Sequence, residues 1–321
     1  MGCSSSKNQT MEESTEGAPL SIQETNPENI NIDESNLAEK NMGQQQFEEM
    51  KLDKSFVEVK ENDEAGQLSE EELKCATELK KTVEESADLP NQSDFMYVQY
   101  AIVAKGDTKK ALRRLKKTVS FLDSYKIEEI SSLQAVDWME SAFPDFIFAA
   151  EDDNLGRPIL CMRYRAFSPK AVKTEQDMKY MLKGFLDMIE ASTNDFDYTR
   201  RGCIFIADCG NIGWSNFSEE IERTFANLYQ DAYPLRFEDM YMLDAPVLMK
   251  VLIQICSIFI KKKLRDRMHL MSLEQFQQIE TFGEQGGALP PQLGGRCQMT
   301  YREWLFPRLE KRKQNISKFT L

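Results

Sequence analysis

The segment GCIFIADCG, residues 202–210, decides the fold class that the sequence predicts. Its apolar residues follow one another without polar alternation, and a glycine stands at each end. A short apolar run between turn signals is typical of a strand that is buried on both faces, as in a parallel sheet. We interpret Asp208, near the end of the run, as a turn residue and not as a metal or nucleotide ligand, because the chain has no G-x-x-x-x-G-K-[ST] phosphate loop.

Segments of alternating type extend on both sides of this run. Residues 158–164 (PILCMRY) and 237–243 (FEDMYML) are predicted strands, and apolar residues at helical spacing fill residues 174–191. A further helix is expected after Ser215, which can serve as its N-cap. Strands that alternate with helices indicate an α/β domain, with a mostly parallel sheet flanked by helices, which we place at residues 142–300.

Helices are predicted before and after this domain. Residues 91–141 indicate a small all-helical subdomain in which two helices meet at Asp107, the N-cap of the second one. A third short helix is expected over residues 133–141. The last residues, 301–321, are predicted to form a basic C-terminal helix or tail.

Negative charge is concentrated at the start of the chain. The net charge is −13, and residues 1–90 hold 22 acidic side chains against 8 lysines, with Phe47 and Phe56 as their only aromatic residues. Such a segment buries too little apolar surface to offset the entropy cost of ordering, so we predict a disordered acidic arm that recruits protein partners. A Glu- and Lys-rich helix over residues 68–83 fits the pattern but lacks a core.

The composition argues against several classes of function. An acidic chain is not expected to bind nucleic acid, whose partners are basic. The seven cysteines include no CxxC pair, and His269 is the single histidine, so we expect no metal site. We expect the cysteines to be free thiols in a reducing compartment. No Ser–His–Asp or Cys–His arrangement is persuasive around one histidine. We therefore expect that the protein is not an enzyme and has no catalytic residue, and that it holds no cofactor other than a bound ligand.

The first residues, MGCSSSK, fit an acylation signal. Gly2 and Ser6 satisfy the N-myristoylation pattern, and Cys3 can carry a palmitoyl chain. One myristoyl chain gives marginal membrane binding, and a second acyl chain makes the anchor stable. The sequence therefore predicts lipidation at Gly2 and Cys3 and a peripheral, lipid-anchored location on the cytoplasmic face of a membrane.

The segment PVLMKVLIQICSIFIKKKLRDR, residues 246–267, places apolar residues on every side of a helix that ends in a basic cluster. At ~1.5 Å per residue, residues 246–260 would span roughly 22 Å, which is shorter than a hydrocarbon core of about 30 Å. Two interpretations remain open. The helix is buried between the sheet and other helices, or it covers an apolar cavity with one face and contacts an anionic membrane with the other. The basic cluster favours the second interpretation.

The order of these motifs resembles that of the CRAL-TRIO lipid-binding family. IFIADCGNIGW, the Tyr-Pro before FEDMYML, the helix that starts at Pro246 and the LPPQLGG loop follow in the family's order, and the resemblance covers about residues 91–300. It implies a hydrophobic pocket that holds one lipid behind a gate helix and exchanges it at membranes. We expect the pocket and gate residues to be Met162, Tyr164, Ile204, Ile206, Val251, Ile255 and Phe259.

The tocopherol-transfer and retinaldehyde-binding branch of that family has a basic cleft for phosphoinositide headgroups. Lys263 and Arg267 match two of its basic positions, whereas Glu238 stands where another would fall, with Arg236 nearby. We define the basic patch as Arg236, Lys261, Lys262, Lys263 and Arg267.

The function that the resemblance implies is binding, presentation or transfer of a hydrophobic lipid by a membrane-tethered protein. Its membrane partner is an anionic surface, with phosphoinositides as candidate headgroups. The alternative is a membrane-anchored scaffold whose CRAL-TRIO pocket is degenerate and filled by side chains. A lipid that co-purifies with the protein would separate the two.

Overall fold

In residues 67–283 and 286–321, which the computed structural model describes, five strands form one mixed sheet whose order equals their order in the chain. They are β1 Ile147–Phe148, β2 Ile159–Arg163, β3 Cys203–Asp208, β4 Phe237–Leu243 and β5 Met268–Met271. Strand β1 pairs with β2 in antiparallel fashion, and the other neighbours are parallel. The predicted α/β class with a mostly parallel sheet is confirmed.

Four helices precede the sheet: α1 Glu70–Glu84, α2 Asp94–Ala104, α3 Thr108–Tyr125 and α4 Ser132–Ala142. The last three agree with the predicted helical segment. Asp107 is the N-cap of α3, as expected, and its carboxylate accepts a hydrogen bond from the Lys110 amide at 3.0 Å. This bond satisfies one of the free amide groups at the start of a helix.

Helix α1 shows that the prediction of disorder over the whole of residues 1–90 was wrong at its C-terminal end. Ser69 and Glu72 form a capping box at its start. Its buried side chains recur at helical spacing and pack against α2 and α3; they are Cys75, Ala76, Leu79 and Val83. The core that the sequence argument did not find is therefore supplied by the helices that follow. The predicted arm, including Gly2 and Cys3, otherwise lies outside the described residues.

Helices join the parallel strands. Between β2 and β3 lie α5 Glu175–Ser192 and α6 Phe196–Arg201; between β3 and β4 lie α7 Glu219–Asn227 and a π-helical turn, Leu228–Ala232; between β4 and β5 lie α8 Val247–Cys256 and α9 Lys262–Arg265. Ser218 caps α7 in place of the predicted Ser215, because Trp214–Asn216 forms a separate 3₁₀ turn. Crossovers between parallel strands are right-handed in nearly all proteins, and with the strands in chain order this rule places the connecting helices on one face of the sheet.

Different segments cover the opposite face of the sheet. There Ile159, Ile204 and Ile206 pack against Phe276 of α10 (Leu273–Phe276) and against the loop that contains LPPQLGG. Gly295 belongs to this loop, and a side chain on it would meet the carbonyl oxygens of Leu289 and Gly286. The loop can approach the sheet closely because this position is glycine. The chain ends with helix α11, Tyr301–Lys318.

Candidate functional site

An apolar cavity of about 120 Å³ lies between the sheet and its connecting helices. The sheet contributes Leu160 and Met162 from β2, Phe205 from β3, and Met240 and Met242 from β4. These positions alternate along each strand because successive side chains of a strand point to opposite faces. One whole face of the sheet therefore forms the floor of the cavity.

Phenylalanine and methionine side chains from the helices and connecting turns form the rest of the wall. The helical residues include Phe185, Met188 and Ile189 of α5, Phe225 of α7, and Met249, Leu252, Ile253 and Cys256 of α8. The volume is below the roughly 300–1,000 Å³ that is common for ligand pockets. Methionine is unbranched and flexible, so its side chains can adapt the wall of the cavity to different shapes.

The structure places Met162 and Tyr164 on the cavity wall, as predicted, but the prediction is wrong for Ile204 and Ile206. In the parallel register Cys161 is opposite Ile206, whereas Met162 is opposite Ala207. Residues opposite each other in register share a face, so Ile204 and Ile206 point to the side away from the cavity. Both faces of β3 are apolar, and for that reason the sequence could not tell them apart.

The predicted gate residues also lie on the wrong side of helix α8 or beyond its end. Val251 points outward with 40% of its surface exposed, and neither Ile255 nor Phe259 lines the cavity. Ile255 packs at the edge of the main core, and the Phe259 ring lies under the guanidinium of Arg223 at 4.9 Å. A helix that is apolar all round gives no signal for the side that faces inward.

The outer side of α8 and of the turn after it is apolar and exposed. We define the outer apolar face as Val247, Val251 and Ile258; the first and last of these are 79% and 81% exposed. The helix ends at Cys256, earlier than the predicted 260, and the chain then turns toward the basic cluster. One short helix therefore covers an apolar cavity and presents apolar side chains to solvent.

The basic patch lies where β4, β5 and α9 meet, and it is partly neutralised. Glu238 Oε2 is 2.8 Å from Arg236 Nε and 3.6 Å from Arg267 Nη1. Lys261 pairs with Asp231, and Lys262 pairs with Asp266 at 2.8 Å. Four of the five predicted residues therefore have acidic partners within the protein.

Lys263 is the exception in the basic patch. It is exposed, and no ion pair engages it among the residues that the structure describes. Partial burial and then the positive charges of Arg267, Arg236, Lys105 and Lys110 lower the pKa of Lys263. Lys105 and Lys110, which the sequence argument missed, therefore add to the same positive field.

Residues 144–295 match the family model described as CRAL/TRIO domain. These residues form a CRAL/TRIO domain. The match contains all five strands from β1 onward and helix α8, whereas helices α1 to α4 lie before it and α11 lies after it.

Two of the relatives each match a part of this chain. Human tyrosine-protein phosphatase non-receptor type 9 is 25% identical over 126 residues, which are 39% of this chain and 21% of the phosphatase. Mouse clavesin-2 is 26% identical over 184 residues, 53% of each protein. The chain thus spans about a fifth to a half of these relatives. The crystal structure of Sfh5 aligns with a TM-score of 0.47 and 12% identity, covering 78% of this chain and 99% of that one.

The CRAL/TRIO cavity also contains polar groups that the sequence argument missed. Glu222 of α7 and Tyr229 of the π-helical turn line it, together with the predicted Tyr164. Burial raises the pKa of the Glu222 carboxyl to about 7. A signal for Glu222 did exist, because it lies three and seven positions before Phe225 and Tyr229 and therefore on the same side of the helix.

Other chemistry-bearing groups of the described residues lie outside the cavity. His269 Nε2 is 2.9 Å from Asp239 Oδ1, and the imidazole stacks on Tyr241. No group of three or more His, Cys, Asp or Glu side chains in residues 67–283 and 286–321 is arranged to hold a metal ion. Within those ranges no helix has both the length and the hydropathy to cross a bilayer.

Proposed function

We propose that this protein binds a hydrophobic lipid in the cavity under α8 and presents or transfers it at an anionic membrane. The observation that supports the proposal most strongly is that α8 borders the cavity on one side and solvent on the other. Its inner side closes a cavity lined almost entirely by apolar residues, and its outer apolar face meets solvent beside the basic patch. Each lipid methylene removed from water contributes about 0.8 kcal/mol, so burial alone can hold an acyl or isoprenoid chain.

The proposed exchange step is a movement of α8 toward the bilayer. Val247 and Ile258 would insert among the lipid tails, while Lys263 and its neighbours would contact anionic headgroups, phosphoinositides included. Loops and helices that cover a site commonly open in this way to admit a ligand. The proposal contains no chemical reaction, so the protein would act as a carrier and not as an enzyme.

We also propose that the protein works while tethered to the cytoplasmic face of a membrane through acyl chains on Gly2 and Cys3. A protein held by two acyl chains cannot ferry lipid between distant compartments. It can present lipid to a neighbouring protein or exchange lipid across a close membrane contact. If the tether exists, wild-type protein expressed in eukaryotic cells sediments with membranes and the Gly2→Ala variant does not.

One observation favours a second candidate, a membrane-bound interaction protein with a filled pocket. The cavity volume of about 120 Å³ is small for a whole lipid. In that case the seven phenylalanines of the lining would act as permanent core and α8 as ordinary cover. The two candidates differ in whether the protein takes up lipid at all.

The test of the proposed function is lipid transfer between vesicles by the full-length protein. Donor vesicles carry a fluorescent phospholipid and a quencher, and both vesicle populations contain anionic lipid. Val247→Asp combined with Ile258→Asp should reduce the transfer rate at least about tenfold, since charged residues on this face oppose insertion. Unfolding by urea should be unchanged, because both side chains are exposed.

Leu133→Asp is the matched control, because Leu133 is also an exposed apolar residue (52%) but lies on α4. It should leave transfer unchanged. Equal transfer by the double variant and by wild type would remove α8 from the exchange step. Absence of transfer by the wild type would favour the second candidate.

A further inference from the structure

Three polar side chains of the cavity have no hydrogen-bond partner among the described residues: Glu222, Tyr164 and Tyr229. The one other amide or carboxyl side chain of the lining, Asn216, is fully engaged. Its Oδ1 accepts from the Gly213 amide at 2.9 Å, and its Nδ2 donates to the Phe167 carbonyl at 2.7 Å. Polar groups in the interior of native proteins are normally paired, so three half-buried groups without a partner in one cavity require an explanation.

All three groups line the same cavity. Glu222 and Tyr229 are seven residues apart on α7 and the π-helical turn that continues it, so they lie on one side. Tyr164 comes from the opposite wall, directly after β2. Burial and then the Glu222 charge raise the pKa of both tyrosines. π-Helical turns often occur at functional sites.

The described side chains around this polar site carry a negative charge and no positive charge. Among the described residues that line the cavity there is no Lys, Arg or His, and Glu222 is the single acidic residue. The basic patch lies outside the cavity lining, and so do Lys250 of α8 and Arg223 of α7. A ligand carboxylate or phosphate placed inside would therefore meet a carboxyl group and no counter-ion.

We propose that Glu222, with the hydroxyls of Tyr164 and Tyr229, binds the polar end of a lipid that donates hydrogen bonds, namely a hydroxyl or a protonated amine. The same site rejects lipids with an anionic end. This inference rests on the proposed lipid-binding function and names the class of its ligand. A carboxylate accepts from such a donor in a charge-assisted bond, and the tyrosine hydroxyls supply one further donor and acceptor each.

Free energy gives the physical reason for this selectivity. A carboxyl that is buried without a partner costs stability, and a ligand donor recovers that cost only when it binds. An apolar residue in place of Glu222 would make a more stable empty protein. Glu222 therefore behaves as a binding residue is expected to behave. It lowers the stability of the empty protein, and the bound ligand offsets this loss.

The test compares three C18 amphiphiles that differ only at their polar end: octadecylamine, 1-octadecanol and octadecanoate. Full-length protein is incubated at about pH 8 with phosphatidylcholine vesicles that contain one of them, separated from the vesicles, and weighed by native mass spectrometry. Wild type should retain the amine and the alcohol at least about tenfold more than octadecanoate, since charge-assisted bonds and an unpaired anion differ by that much or more.

Glu222→Gln keeps the shape of the side chain and removes the charge. It should lower retention of octadecylamine about tenfold and narrow the difference from octadecanoate. Glu222→Leu should bring the three probes to within about twofold of one another and raise the thermal midpoint of the empty protein. Glu220→Gln, an exposed position of the same helix, should match wild type.

Two negative results have different meanings. Uptake of all three probes at equal levels by wild type and by Glu222→Gln would overturn the assignment of the polar end and leave the lipid-binding function intact. Failure of wild type to take up any probe would overturn the function and the assignment together. The stability readout guards against misfolding, because a variant that loses selectivity while gaining stability is folded.

Discussion

Helices α8 and α11 both combine apolar residues with a basic cluster in the sequence, yet they occupy opposite environments. Helix α11 is docked in the body of the protein: Trp304, Leu305 and Leu309 are buried, and even Arg312 is only 2% exposed. Helix α8 exposes Val247 and is continued by a turn that exposes Ile258. The same composition therefore produces a buried structural helix in one place and a helix with an exposed apolar face in the other.

The difference between the two helices lies in the partners of their polar groups. Arg312 donates to Gln99 Oε1 at 2.9 Å and to the Thr193 carbonyl at 2.8 Å. Arg308 pairs with Asp152 at 2.8 Å, and Lys311 pairs with Asp195 at 2.6 Å. By contrast, Glu222 in the cavity beneath α8 has no partner among the described residues. The charged side chains of α11 therefore hold it in the body of the protein, although the buried Tyr301 hydroxyl and Trp304 indole of that helix have no hydrogen-bond partner among the described residues.

The largest effect is expected at Arg312. Arg312→Met removes a buried guanidinium and leaves Gln99 Oε1 and the Thr193 carbonyl with fewer donors, so the free energy of unfolding should fall by about 3 kcal/mol. Urea unfolding followed by circular dichroism measures the change. Lys313→Met, at the exposed neighbouring position, should change the free energy by less than about 0.5 kcal/mol. Equal effects of the two substitutions would mean that α11 is not anchored as described.

The second effect is a pH dependence that originates in Glu222. Its pKa is raised from 4.5 to about 7, so between these values the folded protein keeps a proton that the unfolded chain releases. Stability from this group is therefore lost as pH rises. Relative to Glu222→Gln, the wild type without ligand should lose on the order of 2 kcal/mol between about pH 5 and about pH 8.

This pH effect can be separated from that of other groups on the cavity. Burial raises the pKa of Tyr164, Tyr229 and Cys256, so all three stay neutral throughout this range. Urea unfolding of both proteins at each pH gives the difference directly. Parallel pH curves for wild type and Glu222→Gln would show that the carboxyl is already paired or solvated in the empty protein.

The smallest effect is expected at Glu238, which neutralises Arg236 and Arg267. Glu238→Gln should strengthen binding to vesicles with phosphatidylserine about fivefold, because one more positive charge near the surface contributes about 1 kcal/mol. Flotation at low and high salt measures this, and the gain should shrink with salt. Glu310→Gln on α11 is the control and should have no effect, because that helix is not expected to face the membrane. Equal gains from both would indicate a general charge effect without a defined patch.

The sheet could be predicted from the sequence because it depends on local signals. Residues 202–210 and 237–243 are apolar runs bounded by turn residues, and β3 and β4 form within them. The face of a strand that borders the cavity could not be predicted, since Ile204, Phe205 and Ile206 are all apolar. The side of a strand or helix that faces the cavity is set by packing partners that are distant in sequence. For the same reason the predictions for Val251 and Ile255 on α8 were wrong.

Helix α1 and the polar groups of the cavity were missed for a related reason. The buried side of α1 is a narrow stripe in a segment of high charge, and its core is provided by α2. Glu222 follows two other glutamates at the start of α7, where acidic residues are favourable for any helix. Its spacing from Phe225 and Tyr229 was the available signal, but only the folded structure brings Glu222 and Tyr164 to the same cavity.

The central claim is that the space under α8 binds lipid. The most direct measurement is native mass spectrometry of the full-length protein purified from eukaryotic cells, together with extraction and identification of any lipid in the same sample. The account predicts one added mass per protein that resolves to a single lipid class with a hydroxyl or amine end. A bare protein mass after mild handling, with no uptake from added vesicles, would contradict it and make the interaction protein with a filled pocket the better description.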